Sequence, residues 1–118
     1  MRQVFKPILV LPLVLLMVGC APCSDKVVAE SLSPDRTLAA TWFVRDCGAT
    51  TEFSTMVSVH RPDITFRDDA SIVFIAKGRG PLKLEWTGPR GLKIECAGCE
   101  RKMIFKEVTV AGDVDISY

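Results

Sequence analysis

The chain has one histidine, His60, and no catalytic set assembled around it in the sequence. A histidine base needs a nucleophile and an orienting acid. Only Asp63 lies near in sequence and no nucleophile is marked, so His60 reads as a surface residue at a strand end and the chain as a non-enzyme. A basic run is also missing. Fifteen Lys and Arg against fourteen Asp and Glu give a net charge of +1, which argues against a nucleic-acid partner and against a polybasic membrane surface. Metal-ligand spacing is absent too. Cys20 and Cys23 are too far from Cys96 and Cys99 for a zinc site, and neither Asp68-Asp69 nor Asp113-Val114-Asp115 has the ligand count of a calcium loop. No metal and no cofactor is expected. No window after the first twenty residues shows helical period, no repeat is present, and no apolar run reaches the roughly 20 residues of a membrane-spanning helix.

What is present begins at the N-terminus. Arg2 and Lys6 precede an uncharged apolar run over residues 8–18, broken only by Pro12, and Gly19 and Cys20 follow. Positive, apolar and small-residue segments in that order read as a secretory signal. The junction Leu16-Met17-Val18-Gly19-Cys20 resembles the lipobox of bacterial lipoproteins. That resemblance implies cleavage before Cys20 and a thioether-linked diacylglycerol on its sulfur, with palmitate-type acyl chains. Ala21, rather than Asp, after the cysteine implies the periplasmic face of the outer membrane in a two-membrane bacterium. An ordinary signal cut after Ala21, using Gly19 and Ala21 as the small pair, is the alternative. The expected organisation is a signal over residues 1–19, a linker over 20–25 and one β-domain over 26–118. Removing the nineteen signal residues leaves 99 of the 118, with thirteen basic and fourteen acidic residues and a net charge of −1. Membrane contact is then expected through the lipid on Cys20.

Five cysteines occur, Cys20, Cys23, Cys47, Cys96 and Cys99. Lipidation or cleavage removes Cys20 from the count, and four in an oxidising compartment suggest two disulfides with three possible connectivities. Cys23–Cys47 with Cys96–Cys99 is the preferred pairing. The first would close a loop of about 25 residues, worth about 3 kcal/mol in the loop-entropy description. Cys96-Ala97-Gly98-Cys99 also has redox spacing. An attacking thiolate usually sits at a helix N-terminus; here the pair follows a strand, and Glu95 and Glu100 raise a thiol pKa. A structural bridge is preferred, with a thiol–disulfide redox protein as the alternative.

The remainder alternates with period two. Leu38, Ala40, Trp42 and Val44 oppose Thr37, Ala39, Thr41 and Phe43; Thr55, Val57 and Val59 oppose Met56, Ser58 and His60. Residues 71–76 are nearly all apolar, as in a central strand covered on both faces. Leu82, Leu84 and Trp86, then Leu92, Ile94 and Cys96, alternate across Gly88-Pro89-Arg90-Gly91, which predicts a hairpin. Trp42 and Trp86 are expected in the core. Six to eight short strands with frequent turns predict an all-β domain, an antiparallel meander forming a small sandwich or open barrel.

The spacing Ser33-Pro34-Asp35, then Arg45-Asp46-Cys47-Gly48-Ala49-Thr50-Thr51, Phe53-Ser54-Thr55 and Val57-Ser58 resembles a family of small uncharacterised bacterial envelope lipoproteins. The resemblance implies compartment and fold but no activity. The loop holding Asp46, Gly48, Thr50, Thr51 and Glu52 is the candidate binding rim, although polar loops more often satisfy their own backbone. The expected function is a non-enzymatic binding or accessory module of the cell envelope, with another envelope protein as the possible partner.

Overall fold

The computed structural model describes residues 23–118. The signal segment and Cys20 lie outside them. The described chain forms nine strands: β1 (Ser24–Leu32), β2 (Ala39–Asp46), β3 (Ser54–His60), β4 (Ile72–Lys77), β5 (Lys83–Gly88), β6 (Gly91–Glu95), β7 (Ile104–Glu107), β8 (Val110–Ala111) and β9 (Val114–Ser117). Two single 3-10 turns, Asp69–Ser71 and Arg101–Met103, are the helical elements among the described residues.

The strands form two sheets, ordered β1-β2-β3-β4-β7 and β5-β6-β9-β8. The first is the expected meander with β7 added. The second departs from an antiparallel plan, because β9 runs parallel to β6. After β6 the chain crosses to the first sheet as β7, so β9 enters the second sheet from the same end as β6. Two-residue β8 takes the strand number past the expected eight.

Register follows from the alternation. Trp42 pairs with Val57 and Val57 with Phe74, placing these positions on one face of the first sheet. That face supplies Ala40, Val57, Phe74 and Ala76 to the main core, and the second sheet supplies Leu92, Ile94, Val114 and Ile116. The molecule is therefore a sandwich. A smaller core lies on the outer face, where Phe43, Met56 and Ile72 are covered by Phe66. Phe66 comes from the 61–71 segment, which crosses that face and sets its ring 4.9 Å from Phe43. Strand β4 is thus covered on both sides, as its apolar run requires.

Strand β1 starts at Ser24, two residues before the expected Lys26, so Ser24 and Asp25 belong to the sheet and not to a linker. Cys23, just ahead of the strand, is bonded to Cys47, just past the end of β2. Asp25 then faces Arg45 in the β1–β2 register. Its side chain is only 4 % exposed and accepts from Arg45 Nε at 2.8 Å. Arg67, at 3.6 Å from Asp25, and Asp69, at 3.7 Å from Arg45, extend the pair into the 61–71 segment. One buried carboxylate thereby ties the first strand to the segment that covers the outer core.

The two disulfides share one end of the sandwich. Cys23–Cys47 closes the β1–β2 end, and Cys96–Cys99 closes the turn after β6. Gly80 lies between these regions, since a side chain there would meet Cys96 Sγ at 3.6 Å and the residue shares a cleft with Ser24 and Asp46. This end is the cysteine pole. The opposite end carries the turns between β1 and β2, β5 and β6, and β8 and β9.

Asp25→Ala should cost about 2 kcal/mol, because it removes the nearest charge partner of the half-buried Arg45 guanidinium. Asp63→Ala, which removes an exposed partner of Arg61, should cost less than about 0.5 kcal/mol; urea unfolding of both variants checks the contrast. Tyr118 gives a pH test. Its hydroxyl donates to Val108 O at 2.7 Å, and burial, with Glu107 nearby, pushes the phenol up to about 12. The neutral phenol is the form the fold favours, so its contribution is complete below pH 10.0, the ordinary value, and is lost as pH rises towards 12. As the sole tyrosine, it reports this directly in an ultraviolet titration.

Candidate functional site

The inner face of the first sheet is wider than the second sheet covers. At one end of the β1 edge the seam is closed, because Trp86 Nε1 donates to Ser31 O at 3.0 Å. Towards the cysteine pole β1 and the second sheet part. A bulge at Val28 interrupts the β1–β2 ladder between Val27 and Ala29, and a cleft of about 650 Å³ opens there. Its floor is Trp42 and Val44, its near rim β1, and its far rim residues 79–81 with Phe53.

Local pairing builds the far rim. Ser54 pairs with Lys77, so Phe53 and Gly78 meet just beyond the ladder, and Gly78 N–H donates to Phe53 O at 2.6 Å. Gly78 has φ of 89°, a left-handed corner that suits glycine. The turn brings the Arg79 guanidinium to 3.8 Å from the centre of the Phe53 ring, within cation–π range. Lys26 and Asp46 complete the charged groups of the cleft.

Trp42 packs at the margin of the core, as its alternation suggests, but also lines this cleft. Its indole nitrogen is buried and has no hydrogen-bond partner among the described residues. Native interiors rarely leave such a donor unpaired. Trp86, by contrast, is satisfied at the seam.

Of the candidate rim residues, Asp46 alone lines the cleft. The loop otherwise bonds to itself and to the end of β4. Asp46 Oδ1 accepts from Gly48 N–H at 3.0 Å, Thr51 Oγ1 donates to Gly48 O at 3.1 Å, and Glu52 pairs with Lys77 at 3.3 Å. Gly48 sits at φ of 122°, and Thr50 is exposed at the tip. Lys26, Val28 and Arg79 are the cleft residues that sequence reasoning missed. The available signal was Phe53, a large apolar residue closing an otherwise polar loop.

Cys96 and Cys99 are joined to each other, half-buried against the main core at the end of β6. His60 corrects the surface expectation. It is 8 % exposed, because it ends β3 on the outer face opposite Ala39. Its Nδ1 lies 2.7 Å from Arg61 O, a carbonyl that can only accept, so Nδ1 carries the proton. In the neutral ring Nε2 then accepts from the Thr41 hydroxyl at 2.7 Å. The pair resembles a nucleophile and base, but Thr41 is fully buried and a backbone carbonyl stands where an orienting acid would be. The arrangement locks a strand end.

At the opposite pole Arg90 bridges three turns, with Asp113 Oδ2 at 2.8 Å and Asp35 Oδ2 at 3.4 Å. The hydroxyls of Thr37 and Ser33 donate to Asp35 Oδ1, each at 2.8 Å, and hold its carboxyl down to about 2. The Ser-Pro-Asp turn is thus a fastening between the sheets.

No protein-family model, curated protein or solved structure matches the chain.

Asp46→Ala should lose about 1 kcal/mol through its turn bond, whereas Thr50→Ala should stay within about 0.5 kcal/mol of the parent; thermal melts of both test the structural role of the loop. The Asp35 contribution should be complete above pH 3.8 and fade as pH falls towards about 2. A carboxyl NMR titration should place the midpoint there, and Thr37→Val should raise it.

Proposed function

We propose that this chain is a lipid-anchored protein of the bacterial cell envelope, on the periplasmic face of the outer membrane where two membranes exist. Its β-domain acts as a non-enzymatic binding or accessory module for another envelope protein. The lipobox-like junction and the likeness of residues 33–59 to small envelope lipoproteins support the compartment. Two disulfides suit an oxidising environment.

The observation that carries the reading is the shortness of the link. Cys23 is fixed to Cys47, and it lies three residues after the lipid-accepting Cys20. Three extended residues span at most about 11 Å, so an acylated Cys20 holds the cysteine pole against the bilayer. The Arg90 pole and the β7–β8 edge, where Phe105 is 67 % and Val110 59 % exposed, remain free for a partner.

Mass spectrometry of the protein from native membranes tests this. The expected N-terminal peptide begins at acylated Cys20. One beginning at Pro22, or at Met1 with all five sulfurs reduced, would overturn the anchor. Crosslinking in the same membranes should recover a second envelope protein in comparable amount, and recovery of none would overturn the accessory role.

A further inference from the structure

We propose that the cleft at the cysteine pole binds an anionic phospholipid of the anchoring membrane, taking its headgroup between Lys26 and Arg79 and the upper part of an acyl chain against Val28, Val44 and Phe53. The bilayer as the source of that ligand rests on the anchored reading above; the chemistry of the cleft does not.

Four observations converge. The first is reach. Ser24 lines the cleft and lies four residues from Cys20, at most about 14 Å when extended. An anchored chain therefore carries the cleft mouth to headgroup level. The second is amphipathy. Apolar side chains form the walls, and Val28 is left 49 % exposed, while the charges sit around them. The third is charge. Neither Lys26 nor Arg79 has a carboxylate within 4.0 Å among the described residues. The cleft's one acid, Asp46, accepts from Gly48 N–H, and two cations against it leave a net charge of +1. That surplus beside an apolar wall matches a phosphate attached to an acyl chain. The fourth is Trp42, whose buried indole N–H has no acceptor among the described residues. Its ring lines the cleft floor, and tryptophan suits the boundary between acyl chains and headgroups. The volume, about 650 Å³, lies within the roughly 300–1,000 Å³ of small-molecule sites.

An extended polypeptide is the competing occupant, since β1 is an edge strand. Two free cations and proximity to the anchor favour the lipid.

The two indole N–H resonances of the full mature chain provide the test. Soluble short-chain phosphatidylglycerol should shift the Trp42 signal saturably and leave that of Trp86, which is bonded to Ser31, in place. Short-chain phosphatidylcholine should bind more weakly. Lys26→Ala and Arg79→Ala should each weaken phosphatidylglycerol binding about fivefold, with the spectrum otherwise unchanged. The proposal is overturned if Trp42 does not respond, if the two lipids act equally, or if Trp42 moves only on adding an envelope polypeptide. Short-chain lipid needs no anchor, so an unacylated Cys20 in the mass spectrum would sink the anchored reading and leave this result intact.

Discussion

An edge strand has hydrogen-bonding neighbours on one side only, and β1 carries the additional burden of beginning next to the proposed attachment point. Its first residues are fastened twice. Cys23–Cys47 joins the chain ahead of the strand to the end of β2, and two register steps inside, buried Asp25 grips Arg45. The covalent tie restricts the unfolded chain; the ion pair acts in the folded state, where its desolvation is offset by short, well-directed hydrogen bonds. Because Arg67 and Asp69 share the same network, the 61–71 segment is held over Phe43 by the contact that holds β1. Loss of that contact would loosen the edge and the outer core together.

The cleft follows from the same constraint. A five-stranded sheet packed against a four-stranded one leaves part of its inner face uncovered. Trp86 closes the seam at Ser31, while the fastened start of β1 stands away from the second sheet. The free space therefore falls at the cysteine pole. The opposite pole is closed by Arg90, which draws three turns together. The two ends of the sandwich differ accordingly: one is locked by surface ion pairs, and the other is stapled by sulfur and open between its sheets. In the proposed orientation the open end meets the bilayer.

Alternation made β2, β3 and the β5–β6 hairpin readable, because side-chain direction in a strand is a local property repeating every two residues. The both-faces burial of β4 was readable from its unbroken apolar run. The parallel β6–β9 pairing was not, since it depends on β7 leaving for the other sheet. Nor was the burial of His60, which requires the 61–71 segment to cross the outer face. The cleft was the least legible feature. Asp46 and Trp42 were singled out, but Lys26 and Arg79 are far apart in the chain, and only the β3–β4 register and the Val28 bulge bring them to one opening. The polar residues of the 46–55 loop carried the stronger sequence signal, yet their hydrogen bonds mostly turn inward.

The central claim is that the cysteine pole rests on the membrane through a link too short to let the domain drift away. Neutron reflectometry of the native protein on a supported bilayer measures this most directly. The account predicts protein density beginning at the headgroups. A continuous water layer wider than the roughly 11 Å that three extended residues can span would contradict it.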